Sequence, residues 1–189
     1  MRRLAVYCGA SAGADPAFAL AAQAVGEEMA RRGIGLVYGG GRLGLMGIVA
    51  DAVLAGGGEA YGVIPQALID LEVAHTGLTE IHIVTTMHER KAKMTELTDA
   101  FVALPGGIGT LDELFEAWTW NALGYHAKPF CLLNVNGFWD GMIGFVDNVT
   151  ESGFMSPARR AQLLVAENIA VAIEKLDAAA SAAEKKMVW

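Results

Sequence analysis

FVALPGGIGTLDELFEAWTW, residues 101–120, holds a strand, a glycine turn and the start of a helix in one stretch. Phe101 to Leu104 are small or apolar and read as a buried parallel strand, which Pro105-Gly106-Gly107 interrupts. An amphipathic helix is predicted from near Thr110, with Leu111, Leu114, Phe115 and Trp118 on one stripe against the sheet. Glycines let a ligand approach the main chain, and the first N–H groups of a helix have no partner within it. Together these make a phosphate cradle. Glu113 lies off the apolar stripe, a turn in from the glycines. Thr110-x-x-Glu113 also spells a capping box, in which Glu113 would only satisfy the backbone of Thr110. The tetrapeptide leaves both roles open.

Upstream, Met87, Arg90, Lys91, Met94 and Leu97 share one face of a helix that follows the strand Ile81 to Thr85, IHIVT. Two cations thus occupy a stripe that should be apolar. A buried guanidinium needs a counter-charge, so Arg90 either pairs with a carboxylate such as Glu113 or faces a pocket holding an anionic ligand. His88 stands beside this stripe in the first turn, where a capping or surface role is commoner than catalysis.

Nearer the N-terminus, strands are predicted at Leu4 to Cys8, Gly35 to Tyr38 and Glu59 to Ile64. The first runs into Gly9-Ala10-Ser11-Ala12-Gly13, where Ser11 can bond a ligand phosphate or hydroxyl or serve as a turn hydroxyl. The second runs into Gly39 to Gly47, in which Gly39, Gly41 and Gly44 formally satisfy GxGxxG. As a dinucleotide fingerprint this is weak. The first strand of the chain is already spent, and the acidic residue about twenty positions on, Glu59, opens its strand instead of closing it. Gln66 to Thr79, with Glu72 and His75, shows no clear period. Beyond the central helix follow a strand at Phe130 to Asn134, a helix at Phe138 to Ser152, an edge strand at Leu164 to Ala166 and an alanine-rich helix from Asn168.

Strands that are continuous apolar runs, alternating with helices, imply an α/β fold: a Rossmann-like three-layer sandwich whose mostly parallel sheet has helices on both faces. Ligands of such sheets sit beyond the carboxyl ends of the strands. The loops expected there gather Ser11, Gly39 to Gly41, Arg90 and Gly106 to Glu113 at one rim.

The chain of 189 residues is long enough for one nucleotide-binding domain, 1–189, with a sizeable core. A net charge of −7 argues against nucleic acid bound on a broad basic face, but leaves room for a small anionic ligand in one basic pocket. Cys8 and Cys131 sit in apolar runs without CxxC spacing, which suggests buried free thiols and a cytoplasmic protein. Neither a signal peptide nor a membrane span is expected.

PGGIGTLDE at Pro105 to Glu113, MHERK at Met87 to Lys91, CGAS at Cys8 to Ser11 and GGGRLGLMG at Gly39 to Gly47 together resemble the Lonely Guy family, whose hallmark PGGxGTxxE is matched without departure. The resemblance implies a phosphoribohydrolase that splits the N-glycosidic bond of N6-modified adenosine 5′-monophosphates, works as a homodimer and uses no metal or organic cofactor. It implies a catalytic pair of Arg90 and Glu113. It also implies substrate contacts from Glu72, Lys91, Gly107, Ile108, Gly109, Thr110 and Thr119, beside Ser11, Gly41 and Gly106 of the rim. Two other readings compete with a cytokinin-nucleotide hydrolase: a broader nucleoside monophosphate nucleosidase, and a nucleotide-binding module without catalysis. The family's other label, lysine decarboxylase, would need a Schiff-base lysine for pyridoxal phosphate. Lys91 beside Arg90 is a poor candidate.

Overall fold

The computed structural model describes residues 1–69 and 74–187, with side chains described to residue 183. Seven strands, β1 (Arg3–Tyr7), β2 (Gly35–Tyr38), β3 (Ala60–Pro65), β4 (Glu80–Val84), β5 (Ala100–Ala103), β6 (Phe130–Leu133) and β7 (Leu163–Ala166), form one sheet in the order β4-β3-β2-β1-β5-β6-β7. Every adjacent pair is parallel, so the expected mostly parallel sheet is parallel throughout these seven strands.

Among the described residues seven α-helices flank the sheet: α1 (Pro16–Arg32), α2 (Gly44–Ala55), α3 (Met87–Leu97), α4 (Ile108–Ala122), α5 (Asp140–Glu151), α6 (Pro157–Arg160) and α7 (Ile169–Met187). The period-2 alternation of strand side chains divides the core in two. Leu4 and Val6 of β1 pack with α1, α2 and α7 through Val25, Met29, Val49 and Ile173. Ala5 and Tyr7 face the opposite side, where Met94 of α3, Leu114 and Trp118 of α4 and Val146 of α5 complete a second cluster.

The loop after β1 leads to a helix on one face and the loop after β5 to a helix on the other. Because β1 and β5 are neighbours, their loops part and open a crevice at the carboxyl ends of the strands.

Two local expectations shift. The central helix begins at Ile108, not near Thr110, because Gly107 serves as its N-cap. Its inward stripe is Leu114, Ala117 and Trp118, whereas Phe115 lies on the outer side, stacked on Trp118 with ring centroids 6.1 Å apart.

Candidate active site

The floor of the crevice is main chain packed on main chain. Gly9 N–H donates to the Pro105 carbonyl at 3.1 Å, and Leu45 N–H donates to the Gly9 carbonyl at 3.0 Å. Gly44, at φ 61°, presses so closely on this loop that a Cβ would fall 2.3 Å from the carbonyl carbon of Ala10. A Cβ on Gly106 would fall 2.0 Å from Oγ1 of buried Thr110. These glycines weld the loops after β1, β2 and β5 into one surface.

α4 starts on that surface. Gly107 offers no capping side chain, and Leu111 N–H is the first to bond back along the helix, to the Gly107 carbonyl at 3.2 Å. A Cβ built at Gly107 or Gly109 meets nothing within 4 Å, and Ile108 is 83% exposed. The amides of Ile108, Gly109 and Thr110 therefore start the helix at the rim without a side-chain cap, the geometry that suits an anion. Thr110 is the third residue of the helix and Glu113 lies in its second turn, so these two do not form a capping box. That motif belongs to α3, where Glu89 N–H donates to Thr86 Oγ1 at 3.1 Å and the Glu89 carboxylate accepts from Thr86 N–H. Exposed Ser11 stands on the same floor, its Oγ accepting from Gly13 N–H at 3.3 Å. Gly41 is buried and bridges to Ala74.

Arg90 is 4% exposed, and its Nη2 donates to the Gly39 carbonyl at 3.0 Å. A guanidinium is thereby buried at the carboxyl end of β2. Lys91, next in α3, turns to α4: its Nζ lies 2.9 and 3.2 Å from the two Asp112 oxygens and 3.0 Å from Glu116 Oε2. Half-buried Glu113 lies between those two acids in the chain. Its charge reaches β1. The Tyr7 phenol is pushed well up by burial and then by Glu113 and Glu116, and the buried Cys8 thiol is pushed up by burial and then by Glu113.

The structure thus brings Ser11, Gly41, Arg90, Gly106, Gly107, Ile108, Gly109, Thr110 and Glu113 to one rim, with Lys91 on its flank. Thr119 is exposed six residues past Glu113 along α4, away from the glycine floor. Glu72 lies outside the described residues. Asp112, Glu116 and Tyr7 were not foreseen. Their contacts join separate elements, and no local motif announces them. Among the described residues, no group of three or more His, Cys, Asp or Glu is placed to hold a metal ion.

Residues 46–176 match the family described as "Possible lysine decarboxylase". The chain is 45% identical over 188 residues to the cytokinin riboside 5′-monophosphate phosphoribohydrolase LOG of Oryza sativa subsp. japonica, covering 100% of this chain and 78% of that protein. It is 45% identical over 173 residues to the cytokinin riboside 5′-monophosphate phosphoribohydrolase of Rhodococcoides fascians, covering 91% and 87%. Among solved structures, the molybdenum cofactor binding protein of Rippkaea orientalis superposes with a TM-score of 0.71 at 19% identity over 94% of this chain and 96% of that one, a likeness of fold.

Proposed function

The chain belongs to the cytokinin riboside 5′-monophosphate phosphoribohydrolase family, and from that premise we infer that it hydrolyses the N-glycosidic bond of N6-modified adenosine 5′-monophosphates, releasing the free base and ribose 5-phosphate. The observation that carries the site assignment is the uncapped start of α4 on a glycine floor, beside a buried guanidinium and a half-buried carboxylate.

The substrate phosphate rests on the amides of Ile108, Gly109 and Thr110, where the helix terminus favours negative charge. Gly41, Gly106 and Gly107 keep the floor low enough for it, and the Ser11 hydroxyl is within the same rim. A carboxylate against the phosphate would repel it, so Glu113 faces the ribose. As the C1′–N bond stretches, positive charge grows on the sugar, and Glu113 stabilises it while a water oxygen attacks C1′. The bonding pair leaves with the base, and the proton given up by the water balances it. Arg90 supplies a fixed positive charge for the anionic nucleotide.

Lysine decarboxylation is not supported. A lysine that forms a Schiff base needs a free, readily deprotonated amine. The Lys91 ammonium is held by Asp112 and Glu116, which push its pKa up despite the opposing effect of burial.

A homodimer fits the apolar area exposed by Ile108 and Phe115 of α4 and by Leu123 just past its end. Exposed Thr119 lies among them and would reach a substrate only where another surface closes over the helix. The two buried free cysteines agree with a cytoplasmic setting. No described helix is long and apolar enough to cross a membrane.

The deciding experiment measures free base released from isopentenyl-AMP, AMP, GMP and CMP by wild type, Glu113→Gln and Arg90→Ala. Both variants are expected to lose about 10²-fold or more in kcat/KM. Unchanged rates would remove the assigned roles, and equal rates on all four nucleotides would replace the cytokinin substrate with a broad one.

A further inference from the structure

His75 belongs to the stretch 66–79 whose sequence shows no period, yet the structure gives both of its ring nitrogens a partner. Its side chain is 8% exposed. Gly77 N–H donates to Nδ1 at 3.0 Å, so the ring proton belongs to Nε2, which donates to Asp51 Oδ1 of α2 at 3.0 Å. The main chain of the same segment lies along the loop after β2. His75 N–H donates to the Gly40 carbonyl at 3.0 Å, and Ala74 makes an antiparallel bridge to Gly41. Residues 74–79 thus form a strap over the glycine loop.

The strap is tied down at both ends. At its far end Thr79 N–H donates to the Ala60 carbonyl at 3.0 Å, and Ala60 N–H donates to Thr79 Oγ1 at 3.0 Å. One residue earlier, Leu78 lies on Gly62 of β3, where a Cβ would fall 2.6 Å from Leu78 Cδ1 and 2.9 Å from Gly40 Cα. At its near end the bonds to Gly40 and Gly41 fix strap and loop to each other, so that the two would shift as one. The bond from His75 to Asp51 anchors them to α2, which begins at Gly44, about two turns before Asp51. Glycine loop, helix and strap thereby close a ring.

We propose that His75 and Asp51 are positioning residues for the substrate seat: their bond sets the place of residues 39–41, the loop that carries Gly41 of the rim and the Gly39 carbonyl on which Arg90 Nη2 rests. This rests on the nucleotide-binding reading of the rim and deepens it. The Asp51 side chain is 72% exposed, so its removal costs the fold little while the seat loses an anchor.

The test is KM for isopentenyl-AMP, read beside kcat and Tm. Asp51→Ala is expected to raise KM about tenfold, the scale of one hydrogen bond. Its kcat should stay within about twofold of wild type and its Tm within about 2 °C. Asp51→Asn keeps an oxygen that can accept from Nε2 and should restore KM. His75→Asn keeps an acceptor for Gly77 N–H but does not reach Asp51, and should match Asp51→Ala. Because each of these two breaks the same bond, the double variant should be no worse than either alone. A wild-type KM in Asp51→Ala overturns the proposal, as do additive losses in the double variant or an Asp51→Asn no better than Asp51→Ala. A loss confined to kcat, or a raised KM accompanied by a large fall in Tm, overturns it too. Wild type separates the two levels: no base released from isopentenyl-AMP or AMP ends the nucleotide reading and the proposal with it. Turnover by wild type beside an unmoved KM in Asp51→Ala ends the proposal alone.

Discussion

The guanidinium of Arg90 lies against the backbone of Gly39, 51 residues away in the chain, with Nη2 donating to the Gly39 carbonyl at 3.0 Å. A Cβ on Gly39 would sit 2.0 Å from that nitrogen. Gly39→Ala must therefore push Arg90 from its place while leaving the sheet intact. A displacement of about 1 Å in a reacting group can cost about 10²-fold, and a loss of that order in kcat/KM is expected. Steady-state kinetics beside far-ultraviolet circular dichroism checks it: full activity would mean that Arg90 is not needed where it stands.

Gly106 and Gly109 belong to one motif but should respond in opposite senses to alanine. At Gly106 the new methyl would meet Thr110 Oγ1 at 2.0 Å and Gly9 N at 2.9 Å, so Gly106→Ala is expected to cost about 1–3 kcal/mol through overpacking. Gly109 is helical with open space around it, and Gly109→Ala should be neutral or stabilising by up to about 1 kcal/mol. Urea titrations of both variants would separate them.

His126 predicts a pH dependence of stability. Burial, with the charge of Lys128 adding to it, pushes the ring down from 6.5 to about 4, and Nδ1 accepts from Lys128 N–H at 3.2 Å. Below pH 6.5 the unfolded chain takes up a proton that the folded chain refuses. Stability from this ring is therefore complete above 6.5, and falls as pH drops towards 4. His126→Gln removes the titration, so the gap in Tm between wild type and variant should narrow from pH 7 to pH 4.5. A constant gap in thermal melts would contradict it.

Phe115 offers a test of self-association. Glu at this position adds charge to the outer face of α4 without entering the core, where Leu114 and Trp118 face inward. Wild type is expected to sediment at twice the monomer mass and Phe115→Glu at the monomer mass, with unchanged circular dichroism. A monomeric wild type would refute the dimer.

Much of this was legible in the chain. Apolar runs ending in glycine announce the strands, and their alternation with amphipathic stretches announces helices on both faces of a parallel sheet. Arg90 and Lys91 on an otherwise apolar stripe signalled a buried polar site, and both are buried. The start of α4 was misplaced because its cap is a glycine, and Thr110-x-x-Glu113 imitates a cap by chance. Phe115 was placed on the inner stripe because a period of 3.6 locates an apolar face only to within one residue. The grip of Lys91 on Glu116 could not be read at all. It joins two helices whose separation is set by the sheet beneath them.

Because the loops after β1, β2 and β5 touch through glycine main chain, the surface proposed to lie under the sugar phosphate owes its shape to atoms every residue shares. Side chains that frame the purine can therefore be exchanged without reshaping the seat of the phosphate. A designer seeking a new nucleobase preference should leave that glycine bed untouched and randomise only the positions above it.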